Sequence, residues 1–97
     1  MYLTPDQEQT QLARRIIQRL RENPEQGLDL LARHLLRFQD SMEAMTELEV
    51  YLKMNPMEEY GLQNRSEILN ITLNAMVSKL KMKSLLHQYL RANNSLS

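Results

Sequence analysis

The sequence predicts an all-α fold: a small helical bundle of three main helices over about residues 5–22, 24–53 and 65–91, with a short helical turn at 56–60. Three observations carry this expectation. Each of the three prolines follows a residue that caps helices, in Thr4-Pro5, Asn23-Pro24 and Asn55-Pro56. Proline suits the first helical turn, where its missing N–H has no intrahelical partner and its φ is already helical. Glycine is scarce, with two in 97 residues, which disfavours a sheet built on tight hairpins. The apolar residues recur at spacings of three and four rather than two.

The first helix begins at Thr4-Pro5, where Gln7 stands three residues after the cap and can reach back to its N–H as a capping box. Leu12, Ala13, Ile16, Ile17 and Leu20 form a single apolar stripe. Arg14, Arg15, Arg19 and Arg21 occupy the rest of the circumference. Asn23-Pro24 ends it, because a residue preceding proline is pushed out of the α region.

The second helix opens with Gln26 at the capping-box position and Gly27 in its first turn. No proline or glycine follows before Asn55-Pro56, so one helix is expected over 24–53, spanning roughly 45 Å at 1.5 Å per residue; that length is large for a chain of this mass and leaves room for a bend near Gln39-Asp40-Ser41, which no proline or glycine signals. Leu28, Leu31, Leu35, Phe38, Met42 and Met45 alternate spacings of three and four, a heptad-like seam. The register then slips, with Leu48 and Leu52 continuing it.

Asn55, Pro56 and Glu58 repeat the capping pattern and predict the turn at 56–60, closed by Gly61 as a C′ residue. Asn64 is the expected cap of the last helix. That helix carries three apolar rows: Leu69, Leu73, Met76 and Leu80; Ile68, Ile71 and Ala75; and a distal row of Met82, Leu85, Leu86 and Tyr89. No single neighbouring helix can cover all three. Residues 93–97 read as a flexible polar tail, and the whole chain as one domain, residues 1–97.

Composition bounds the function. Twelve basic and twelve acidic residues give a net charge of zero, which argues against a chain built as a whole to bind nucleic acid or anionic membrane. There is no cysteine, so disulfides and thiolate metal sites are excluded. With no visible signal peptide and no apolar run near the ~18–20 residues of a bilayer span, a cytoplasmic location is expected. Seven methionines against one phenylalanine and four tyrosines suit an adaptable core or partner surface.

The catalytic inventory is thin. His34 lies between Arg33 and Arg37, and His87 in a stretch without acids, so neither has a neighbouring carboxylate to orient it. No metal-ligand motif or phosphate-binding glycine loop occurs. Asp40, Glu43 and Glu47 would share one face of an unbroken second helix, and read as a solvated acidic face. No catalytic residue, cofactor, metal or small-molecule substrate is therefore expected.

Charge is uneven along the chain. Residues 40–59 carry six acids against Lys53 alone, and after Glu67 only basic groups remain, Lys79, Lys81, Lys83 and Arg91. Residues 61–69, Gly-Leu-Gln-Asn-Arg-Ser-Glu-Ile-Leu, are similar to the start of the second helix in ribbon-helix-helix DNA-binding proteins. The resemblance covers this segment alone and lacks the family's N-terminal strand. It implies a DNA-binding regulator; independently, the basic last helix could contact phosphates through Lys79, Lys81, Lys83 and Arg91.

The favoured expectation is a non-enzymatic protein-interaction module: an adaptor, inhibitor or assembly factor, working as a homodimer or within a complex. Its interface residues are Phe38, Met42, Met45, Met82, Leu85, Leu86 and Tyr89, chosen because three helices cannot bury them all.

Overall fold

The computed structural model describes residues 4–96, and all the regular structure among them is helical. Four α-helices follow in order: α1 (Pro5–Glu22), α2 (Pro24–His34), α3 (Met42–Met54) and α4 (Gln63–Leu96). Short 3-10 turns at Leu35–Phe38 and Glu58–Tyr60 link α2 to α3 and α3 to α4. α1 packs against α2 and α3, and α3 packs against α4.

The proline starts behave as the sequence predicts at the first two helices. Thr4 and Gln7 close a full capping box, with the Gln7 N–H donating to Thr4 Oγ1 at 3.2 Å and the Thr4 N–H to Gln7 Oε1 at 2.9 Å. Asn23 serves two helices. Its N–H closes α1 on Arg19 O at 2.7 Å, and its side chain accepts from Gln26 N at 3.2 Å to open α2. One extended residue thus reverses the chain between two helices, which suits its short polar side chain.

Gly27 explains how close the resulting hairpin is. A Cβ on this residue would lie 2.6 Å from Leu20 Cα. The glycine is therefore a packing requirement of the α1–α2 crossing, not merely a tolerated first-turn residue.

The expected second helix over 24–53 is two helices. α2 stops at His34, the chain tightens into a 3-10 turn, and Ser41 starts α3. Ser41 is fully buried; its Oγ accepts from Ala44 N at 3.2 Å and donates to Asp6 Oδ1 at 2.5 Å. A buried hydroxyl with both roles filled is a strong N-cap. The physical reason for the break is length. A rod of 30 residues would outrun the 18-residue α1 beside it, whereas the break returns α3 along α1. Phe38, at the end of the turn, becomes the largest fully buried side chain.

Two further expectations are corrected at the caps. Asn55 closes α3 rather than opening the next turn: its N–H and Nδ2 both donate to Tyr51 O, at 3.0 and 2.8 Å. The 3-10 turn starts at Glu58 without a side-chain cap and ends, as expected, on Gly61 at φ 67°. Asn64 lies inside α4, which begins at Gln63. α4 also runs past the expected end at Arg91 to Leu96, so it takes in residues assigned to the tail, while Ser97 lies outside the described residues.

The core is one cluster. Ile16 and Leu20 meet Leu28 and Leu31 across the α1–α2 hairpin, Phe38 and Met45 close it from the connector and α3, and Leu73 reaches it from α4. Ion pairs fasten the exposed edges. Arg14 holds Glu47 at 3.1 Å, with Glu43 at 4.0 Å, and Arg65 pairs with Asp29. The hydrogen bonds to Glu47 raise the Arg14 guanidinium's pKa further above its ordinary value.

Candidate protein-interaction face

α4 is 34 residues long, about 51 Å at 1.5 Å per residue. The α4 residues that pack onto the body lie between Ser66 and Leu80. Ser66, Leu69 and Leu73 are buried, and Met76, Val77 and Leu80 half-buried, so one face packs onto the body. The same face then turns polar, with Lys83, Ser84, His87 and Arg91 following at helical spacing. From Lys81 to Asn93 every residue is exposed. The distal half of α4 is an arm that leaves the body, and the molecule measures 58 × 35 × 20 Å. Its radius of gyration is 16.0 Å, against about 13 Å for a compact chain of about 100 residues.

The opposite side of α4 carries a second apolar stripe. At 3.6 residues per turn, Ile68, Ile71, Ala75, Met82, Leu85, Leu86 and Tyr89 project about 180° from the packed face, with Leu85 at one edge and Ile68 and Leu86 at the other. They follow a heptad, with Ile68, Ala75, Met82 and Tyr89 at one position and Ile71, Ser78 and Leu85 at the other. The large members are 57–69% exposed. The two outer rows read separately from the sequence are thus one stripe, interrupted at Ser78 and continuing from the body onto the arm.

The expected interface residues divide. Met82, Leu85, Leu86 and Tyr89 lie together on this stripe. Phe38 and Met45 do not join them: both are fully buried inside the chain's own core, and Met42 is half-buried at the start of α3. The break in the predicted second helix is the cause, because it folds the seam inward against α1. Ile68 and Ile71, which complete the stripe, were visible in the sequence as a separate row. The signal that joins them to the distal row is the seven-residue repeat across Ala75 and Ser78.

The expected nucleic-acid contacts are all exposed, Lys81, Lys83 and Arg91 on the arm and Lys79 just before it. They do not share a face. Lys79 and Lys83 flank one edge of the apolar stripe, Lys81 lies near the other, and Arg91 continues the packed side. Asp40, Glu43 and Glu47 are also separated, since Asp40 lies in the turn before α3 while Glu43 and Glu47 answer Arg14. Among the described residues no cluster of three or more acids or histidines is placed to hold a metal ion.

A groove of about 760 Å³ lies between α1 and α3, lined by Ile17, Val50, Tyr51 and Met54. Its polar rim is occupied by itself: Arg14 is held by Glu47, and the Arg21 guanidinium stands 5.7 Å over the Tyr51 ring. No helix is long and apolar enough to cross a membrane among the described residues. Comparison with protein-family models, curated proteins and solved structures gave no match for this chain.

Proposed function

We propose that this protein is a non-enzymatic interaction module that presents the outer stripe of α4 to another protein helix, so that its small helical bundle is completed by association. The observation that carries the reading is the exposed heptad from Ile68 to Tyr89, which extends onto an arm whose residues are exposed from Lys81 to Asn93. A helix that has left its body draws little stability from propensity alone. Contiguous apolar surface of this kind, edged by lysines, is characteristic of a protein-binding site. Covering each large side chain is worth roughly 1.5–3 kcal/mol before association costs.

Neither histidine stands in a constellation that favours an enzyme. His34 is half-buried near the end of α2 and His87 is exposed on the arm. The alternative, a DNA-binding regulator, rests on the acid-free stretch after Glu67. Its basic groups are spread around the arm rather than aligned along one edge. Retention on a DNA column that collapses with salt would favour it.

Site-specific photocross-linking tests the proposal. A photoreactive residue at Leu85 should trap a discrete polypeptide in the producing cell, while the same residue at Arg15, on the exposed side of α1, should not. Equal or absent cross-linking at the two positions would refute the reading.

A further inference from the structure

The occupant of the stripe is argued from charge and side-chain size, and rests on the interaction reading above. We infer that it is α4 of a second copy, running antiparallel, with Ala75 of each chain against Ser78 of the other.

Charge sets the direction. The arm is basic throughout, with Lys79, Lys81, Lys83 and Arg91 and no acid beyond Glu67. The base of the same helix is acidic, with Glu67 on α4 and Glu58 and Glu59 on the preceding turn, all exposed. A parallel pair would lay basic arm beside basic arm and crowd the acidic bases together. An antiparallel pair lays each arm along the other chain's base. Like charges opposed across an interface are costly, and opposite ones guide its register.

Side-chain size and flanking charge set the register. Opposing Ala75 and Ser78 places small residues at the two-fold axis, where the helices can approach closely. Ile71 then meets Met82 of the second copy, and Ile68 meets its Leu85. Lys79 and Lys81 fall beside Thr72 and Asn74 of the other chain, which are neutral. Sliding the pair by one heptad toward the arm tips would instead set Lys79 of each chain against Lys81 of the other. The bodies remain apart in this arrangement, because each packs on the face of its own α4 that points away from the axis. A two-fold contact of this kind is self-complementary and closes on itself.

The absence of native cysteine allows a direct test. Ile71→Cys and Met82→Cys are made separately, both at exposed positions, and folding is checked by circular dichroism. Mild oxidation of an equimolar mixture should give a disulfide-linked mixed dimer. Neither protein alone should link, because 71 and 82 lie eleven residues apart along the helix, about 16 Å, beyond the reach of a disulfide. Self-linking of each variant would show parallel pairing and overturn the inference. So would a native chain that sediments only at the 11.5 kDa of one copy at micromolar concentration. Exposed charge swaps give a second measurement. Glu67→Lys, and separately Lys81→Glu, which flank the same edge of the stripe, should each weaken self-association, and mixing the two should restore it. Failure of the mixture to recover would count against the pairing. A monomeric chain whose Leu85 still cross-links to a different polypeptide would end the second-copy inference and leave the interaction reading standing. No cross-link at all would end both.

Discussion

Ser41 shows how one side chain redirects the chain. Buried and bonded to both Ala44 N and Asp6, it starts a new helix within a stretch that no proline or glycine interrupts. Ser41→Ala should destabilise the protein by about 0.5–2 kcal/mol through loss of the cap, measured as a shift of the urea midpoint without a change in slope. Gly27 acts through contact. Gly27→Ala puts a methyl group within 2.6 Å of Leu20 Cα, and crowding of a packed contact costs about 1–3 kcal/mol. An unchanged melting temperature for Gly27→Ala would show that the hairpin is looser than described. Thr4 and Asn23 were legible as caps because their partners lie three residues away in the chain. The role of Ser41 was not: it also caps a residue three positions on, Ala44, but neither a proline nor an N3 Glu or Gln marks it, and its second partner, Asp6, is 35 residues distant. Asn55 was misread for a related reason: an Asn-Pro pair serves a preceding helix as readily as a following one.

At the scale of the element, α4 is one helix with two environments. Leu73 and Leu85 are the same residue on the same helix, one fully buried and the other 60% exposed. Leu73→Ala should cost about 2–5 kcal/mol of folding stability. Leu85→Ala, measured at a dilution that leaves single chains, should change it by less than about 0.5 kcal/mol. Similar losses at both sites would mean that the arm folds back onto the body. The apolar surplus of this helix was legible from its three rows. Which row packs was not, because that depends on where α3 lies, and α3 was hidden inside a longer expected helix. The seam over Phe38, Met42 and Met45 failed as an interface for the same reason. A period of three and four residues identifies an apolar face but not the partner that covers it. Once α3 turns back along α1, that partner belongs to the same chain.

At the scale of the whole molecule, a body built from α1, α2, α3 and the first half of α4 carries a projecting helical arm with acid at its base and basic groups along its length. The central claim is that another protein helix covers the outer stripe in the working protein. Amide hydrogen exchange along α4 tests this most directly, because exchange reports local opening of each segment. In the associated native protein, residues 81–93 should exchange nearly as slowly as residues 66–80, and Leu85→Asp should speed the arm by at least about tenfold while leaving 66–80 protected. Fast exchange throughout 81–93 in the native protein, unchanged by Leu85→Asp, would contradict the claim.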